Sequence, residues 1–168
     1  MRTNLLKENL IDMGIEIERK FLVKRALWDQ LPKHERKHYK QGYLLNKDDR
    51  VVRIRIAGDQ GYITIKGVAS GISRLEFEYP IPKSEAEEML THFKPESTEK
   101  IRYRIPAGNN LTWEVDVFGG ANQGLIVAEI ELLSEDQTFD LPDWIDVEVT
   151  DDERYSNSSL ALHPYTTW

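Results

Sequence analysis

The chain has 168 residues, 40% of them hydrophobic and 30% charged, with a formal net charge of −7 and no cysteine. That is the size and composition of one globular domain able to bury its own core, and the missing thiols exclude disulfides, thiolate metal sites and cysteine nucleophiles. The acidic balance argues against a general nucleic-acid or anionic-membrane binder, although a basic interior pocket for a small polyanion would not register in the sum.

Residues 1–13 read as an N-terminal extension with weak helical periodicity at Leu5, Leu6, Leu10 and Ile11, ahead of one domain over residues 14–168. No apolar run approaches the roughly 20 residues of a membrane helix and no secretory signal is evident, so the cytoplasm is the expected location. Over residues 15–21, apolar Ile15, Ile17 and Phe21 alternate with Glu16, Glu18 and Lys20, which predicts a strand with one greasy and one ionic face. Residues 25–31 predict a short helix, and residues 38–45 a less regular strand carrying Gln41 and Tyr43 on one face. Val52, Ile54 and Ile56 then alternate with Arg53 and Arg55, and Ile63 and Ile65 with Tyr62, Thr64 and Lys66, a hairpin turning at residues 58–61. Leu75, Phe77 and Tyr79 oppose Arg74, Glu76 and Glu78. After Pro82, a capping box of Ser84 and Glu87 and a stripe of Ala86, Met89, Leu90 and Phe93 predict a helix over residues 83–93.

The alternation resumes with Ile101, Tyr103 and Ile105 against Lys100, Arg102 and Arg104, turns at residues 106–110, and returns with Trp113, Val115 and Val117 against Glu114 and Asp116. Ile130 and Leu132 oppose Glu129 and Glu131 in the last predicted strand, which brings the total to about eight. Residues 156–162 predict a closing short helix, with Tyr155 and Asn157 read as packing and capping residues. The expected class is α+β and mainly antiparallel β, with helices between strands.

The ionic faces constrain the architecture further. They hold eight cations (Lys20, Arg53, Arg55, Lys66, Arg74, Lys100, Arg102, Arg104) and eight anions (Glu16, Glu18, Glu76, Glu78, Glu114, Asp116, Glu129, Glu131), in blocks of like sign on single strands. Like charges on one strand face repel, so such blocks need compensation by neighbouring strands, by a metal beside the carboxylates, or by a phosphate chain beside the cations. Closing the sheet into an eight-stranded barrel would turn all these faces into one lumen and leave the apolar faces outside, to be covered by helices. Solvated faces of a flat sheet, held by exposed ion pairs, are the alternative.

Glu16, Glu18 and Lys20 place two carboxylates and an amine on one strand face, about 6.6 Å apart in succession. Two carboxylates so placed can share Mg²⁺ or Mn²⁺, a hard cation that keeps waters and takes phosphate oxygens as further ligands. His34, His38, His92 and His163 are scattered without a zinc-binding spacing, and no Walker loop or nucleophile elbow is present.

Glu16-x-Glu18-x-Lys20, Gln41-Gly42-Tyr43-Leu44, Arg53-Ile54-Arg55, Lys66, Glu76-Phe77-Glu78, Lys100-Ile101-Arg102, Glu114-Val115-Asp116 and Glu129-Ile130-Glu131 follow one another in the order seen in a known family. The chain resembles the CYTH family of triphosphate tunnel metalloenzymes over residues 14 to about 162. The resemblance implies a closed eight-stranded tunnel with a charged interior, commonly a homodimer, that acts on triphosphates with Mg²⁺ or Mn²⁺. The form of the first two motifs looks most like the inorganic triphosphatase branch. Nucleoside or thiamine triphosphatases, class IV adenylate cyclases and a catalytically idle polyphosphate- or nucleotide-binding module are the alternatives. In such a tunnel Arg53, Arg55, Lys66, Lys100 and Arg102 would clamp the phosphate chain together with Lys20, while Arg74 and Arg104 would either join them or pair with carboxylates. Glu16, Glu18, Glu129 and Glu131 are the expected metal residues, because first and last strands meet on closure. Glu76, Glu78, Glu114 and Asp116 are expected either to orient the cations or to serve a second metal or a water. Tyr43, beside Lys20 in related tunnels, is expected either to assist proton transfer or to line the wall.

Overall fold

A computed structural model describes residues 14–32 and 35–168. The predicted extension over residues 1–13 and the His34 position lie outside the described residues.

Eight strands close into an antiparallel barrel. Around the ring they are β1 (Ile15–Val23), β5 (Ser73–Ile81), β4 (Gln60–Ser70), β3 (Arg50–Ala57), β2 (Glu35–Lys47), β6 (Ser97–Gly108), β7 (Leu111–Phe118) and β8 (Ile126–Glu131), which returns to β1. The flat-sheet alternative is thereby set aside. A ninth strand, β9 (Ile145–Glu148), lies outside the ring against β1. Four residues are too few to display an alternation, which is why the sequence does not announce β9.

Closure is uneven. β1 meets β8 along one edge, from Glu18↔Glu131 to Leu22↔Val127. Its other edge is divided: residues 15–17 pair with β5, and Phe21 and Val23 pair with β9. The β1–β5 seam is thus only one short register, Ile15↔Leu75 to Ile17↔Ser73. The hairpin turns are narrower than the sequence implies. Gly58 and Asp59 join β3 to β4. Asn109 and Asn110 join β6 to β7 with φ of 51° and 60°, the left-handed pair that matches strand twist in a two-residue turn.

The apolar core lies outside the barrel, as the inverted pattern requires. Trp113, Val115, Ala128, Ile130, Ile17 and Phe21 form its strand-borne part. Helix α1 (Arg25–Trp28) and the segment before β9 cover it with Trp28 and Trp144. Trp113 sits at the centre, edge-on to Phe21 at 5.6 Å and to Trp144 at 5.8 Å. Fully burying side chains of this kind contributes roughly 1.5–3 kcal/mol each. Helix α2 (Lys83–Phe93) packs on β3 and β4. Its approach needs Gly61, where a Cβ would stand 2.9 Å from both the Ala86 Cβ and the Ile81 carbonyl oxygen. The predicted capping box does not form. The helix begins at Lys83, Pro82 takes the cap position without a side-chain bond, and Ser84 is already inside the first turn.

Helix α3 (Asn157–Leu162) packs against β2 and β6. Ser156 caps it by accepting from the Ser159 amide at 3.1 Å. Leu160 anchors it in a second apolar cluster with Phe118, Leu125 and Val127.

Candidate active site

The ionic strand faces converge on the lumen as two adjoining cavities of about 720 and 620 Å³. Glu16, Glu18, Arg53, Lys66 and Asn157 line both and form the waist between them. Arg55, Glu76, Glu78, Arg102, Glu114, Glu129 and Glu131 line the larger cavity alone, whereas Lys20, Tyr43 and Arg74 line the smaller. Three expected residues stand apart from both linings, Asp116 among them, fully buried. Lys100 is buried behind the wall, and Arg104 sits half-exposed at the rim, 3.7 Å from Glu114 and 3.9 Å from Glu35. Arg74 is the case between: its Nε donates to the Gly67 carbonyl at 2.5 Å, where β4 bulges.

Along the β1–β8 seam the antiparallel register opposes Glu18 directly to Glu131 and Lys20 to Glu129. Lys20 answers both neighbours, donating to Glu18 and, at 3.0 Å, to Glu129. Burial opposes the charge on Lys20, but Glu129 and Glu18 together outweigh it and hold the ammonium firmly protonated. Glu18 fares differently. Burial, reinforced by Glu16 and Glu129, raises its carboxyl above the usual value despite Lys20.

The β3–β5 wall is loosely paired. Arg53 donates to Thr64 at 3.1 Å and Glu78 at 3.2 Å, and stands 3.8 Å from Glu76. Arg55 reaches Glu78 only at 3.4 Å. The Nε atoms of both arginines are buried without a partner. Burial and the adjacent Arg53 depress the Arg55 pKa. Lys66 spans the short seam, 2.8 Å from Glu16 and 2.6 Å from Glu76.

The β6–β8 wall is saturated. Arg102 binds Asp116 in a fork of two 2.7 Å hydrogen bonds, donates to Glu129 at 2.7 Å, and bonds Glu114 as well. Lys100 donates to Asp116 and, at 2.9 Å, to Asn157. Burial and the Arg102 charge, which already claims Asp116, pull the Lys100 amine down to about 8.

The sequence matches the CYTH domain model over residues 14–165. The chain belongs to the CYTH family. It is 49% identical over 155 residues to an inorganic triphosphatase of Acetivibrio thermocellus, covering 91% of this chain and 97% of the relative. An inorganic triphosphatase of Nitrosomonas europaea is 38% identical over 150 residues, with 88% and 97% covered. The crystal structure of the inorganic triphosphatase NE1496 superposes with a TM-score of 0.62 at 36% identity, covering 88% of this chain and 94% of that one.

The CYTH lumen here has the donor chemistry of a hard-cation site. Seven carboxylates (Glu16, Glu18, Glu76, Glu78, Glu114, Glu129, Glu131) and four cations (Arg53, Arg55, Lys66, Arg102) line the larger cavity, an excess of three negative charges. Glu18 facing Glu131 is a like-charged cross-strand pair, which a cation relieves. Among the described residues no three His, Asp or Glu side chains already converge at metal-ligand spacing, and Glu129 is engaged by Lys20 and Arg102. Glu16 and Glu18 are likewise engaged, by Lys66 and Lys20, so the oxygen donors whose chemistry suits a hard cation are the expected four, Glu16, Glu18, Glu129 and Glu131.

Tyr39 escapes the sequence reading and Asn157 contradicts it. Tyr39 lies between Arg55 and Arg102, each guanidinium 5.4 Å from its ring centre. Its even spacing from Gln41 and Tyr43 on β2 was the signal available. Tyr43 accepts from Gln41 at 3.2 Å, and burial raises its phenol above the ordinary value despite Arg53 and Lys66. Asn157 does not cap α3, a role that Ser156 takes; its Oδ1 accepts from Gln41 at 3.1 Å and from Lys100. The reading of Tyr155 as a packing residue holds, edge-on to Trp168 at 5.2 Å.

Proposed function

We propose that this chain hydrolyses inorganic triphosphate to diphosphate and phosphate inside the barrel, with Mg²⁺ or Mn²⁺ at the β1–β8 seam. One observation carries the reading: arginine and lysine side chains share a single cavity with carboxylates that outnumber them. A polyanion enters such a space only with added positive charge, and the excess carboxylates can hold it. The triphosphatase relatives support the same substrate.

Held by Glu16, Glu18, Glu129 and Glu131, the metal would neutralise phosphate oxygens and lower the pKa of a coordinated water. The chain's own residues do the positioning on which phosphoryl transfer chiefly depends. Arg53 and Arg55 offer forks to phosphate oxygens, and their unpartnered Nε atoms provide donors not already spent on protein carboxylates. Lys66 supplies a point charge where the two cavities meet and Lys20 one in the smaller cavity, and Arg102 holds the far wall. Glu76 and Glu78 orient the cations of β3 and β4, and Glu114 and Asp116 those of β6. Tyr43 keeps its proton, because a buried phenol with a raised pKa is a poor base, and it serves as a hydrogen-bond donor. The exposed outer face of β4 and β5, with Ile65, Leu75, Phe77 and Tyr79, supports pairing of two copies into a homodimer.

Phosphate release from triphosphate, ATP and thiamine triphosphate, each with Mg²⁺, Mn²⁺ or chelator, tests the reading. Triphosphate with a divalent cation should be the preferred combination; equal release in chelator would refute the metal, and preference for ATP the substrate. Glu18→Gln should lower turnover by about 10²-fold or more. It should also abolish the upward shift in Tm that Mn²⁺ gives the wild type, a readout independent of activity.

A further inference from the structure

A buried guanidinium can be held in place in two ways, and the tunnel uses both. Carboxylates fix Arg102, and in doing so they consume its donors on Asp116, Glu114 and Glu129. An aromatic face attracts the cation through its ring electrons and takes no N–H out of use. Arg55 is held chiefly in the second way. Its side chain is only 14% exposed, and the one carboxylate within 4 Å of it among the described residues is Glu78, at 3.4 Å. Its guanidinium lies over the Tyr39 ring, 5.4 Å from the centre.

Strand register makes Tyr39 the hub of this arrangement. Arg55 stands opposite Gln41 and Arg102 opposite Lys37, two residues to either side of Tyr39 on β2. The two arginines therefore reach the ring diagonally, from opposite edges of the strand and from opposite directions along it. Arg102 lies at the same 5.4 Å from the ring centre, and Tyr39 lines the larger cavity beside both. The ring thus separates Arg55 from the Arg102 charge, which repels it. It also separates Arg55 from Glu114 and Glu129, the partners of Arg102, which line the same cavity and would compete for its donors.

We propose that Tyr39 is a positioning residue for Arg55: its ring fixes the guanidinium at the wall of the larger cavity without using its donors, which stay available to the phosphate oxygens of the substrate. The inference rests on the triphosphatase reading and adds to it a residue that acts through Arg55.

The test is a double-mutant cycle. Isothermal titration with a methylene-bridged triphosphate analogue and Mg²⁺ reads binding, and kcat/KM for triphosphate reads turnover. Tyr39→Leu should weaken binding by about tenfold, the scale of one desolvated cation–π contact. In the Arg55→Ala background the same change should cost less than about twofold. Tyr39→Phe, which keeps the ring, should recover binding and kcat/KM to within about twofold of the wild type. Should Tyr39→Leu fail to fold by circular dichroism, pentafluorophenylalanine at position 39 keeps the ring's shape, reverses the charge of its face, and should weaken binding by the same factor. An equal loss with and without Arg55 overturns the inference, as does a Tyr39→Phe variant as weak as Tyr39→Leu. If the wild type binds the analogue but releases no phosphate from triphosphate, the hydrolase reading falls and the binding cycle still decides the role of Tyr39. Hydrolysis without coupling between Tyr39 and Arg55 removes this inference alone; a wild type that binds no analogue overturns both.

Discussion

The two cationic walls of the barrel are built from the same residue types and behave oppositely. On β6–β8, Arg102 spends its Nε and both terminal nitrogens on Asp116, Glu114 and Glu129, with Asp116 fully buried. On β3–β5, Arg53 and Arg55 reach carboxylates at 3.2–3.8 Å and leave both Nε atoms buried and unpartnered. Buried donors without acceptors cost free energy that a folded protein seldom leaves uncompensated. The difference teaches that a guanidinium in a lumen is not by itself a binding group. What the neighbouring strand offers it decides: β7 presents Glu114 and Asp116 in direct register with Arg104 and Arg102, whereas β4 presents Tyr62 and Thr64 to Arg55 and Arg53. One wall satisfies its own charges and the other leaves buried donors unmet.

The strongest way to break this comparison is to remove the saturated arginine. Arg102→Met should strip Asp116 and Glu129 of their principal partner and cost about 3–5 kcal/mol of stability, the usual penalty for orphaning a buried charge. Urea unfolding should show a lower midpoint at unchanged slope. A midpoint within error of the wild type would mean that the β6–β8 network is dispensable, and the proposed division of labour would be wrong.

The converse substitution sharpens it. Arg55→Ala removes a guanidinium whose charge is already disfavoured by burial and by Arg53, so stability should stay within about 1 kcal/mol of the wild type. Activity should not survive so well: kcat/KM for triphosphate should fall about 10²–10³-fold, the range for deleting one pre-positioned electrostatic group. A variant that unfolds yet, where folded, turns over normally would exchange the roles of the two walls.

The sequence revealed the lumen more readily than its internal economy. Alternation at Arg53 and Arg55, or at Glu129 and Glu131, states that the charges share a face, and the blocks of like sign imply that the face is enclosed. The register that sets Glu18 against Glu131 and Arg102 against Asp116 is a non-local property of strand pairing, so which cation is spent and which is free was hidden. β9 was too short to carry a pattern. Asn157 was misread because a Ser-Asn pair before a helix offers two caps of nearly equal propensity, and only the docking of Leu160 decides that Ser156 caps while Asn157 turns inward.

Lys100 provides the finest test of what saturation means on the β6–β8 wall. It shares Asp116 with Arg102, yet burial and the Arg102 charge bring its amine from 10.5 down to about 8. The sign of the stability effect follows from proton counting. The folded protein sheds this proton near pH 8, whereas the unfolded chain holds it to about 10.5, so between those values the unfolded state binds more protons. Stability attributable to Lys100 should therefore rise with pH across that window, by at most about 3 kcal/mol at 1.36 kcal/mol per unit. Lys100→Met removes the titration while keeping the side-chain bulk. The difference in unfolding free energy, wild type minus variant, should grow in favour of the wild type from pH 8 to 10.5 and be flat below it. A difference that stays flat over that interval and falls only above pH 10.5 would show that Asp116 and Asn157 hold the ammonium more tightly than Arg102 repels it, and Lys100 would then join Arg102 as a fixed ion.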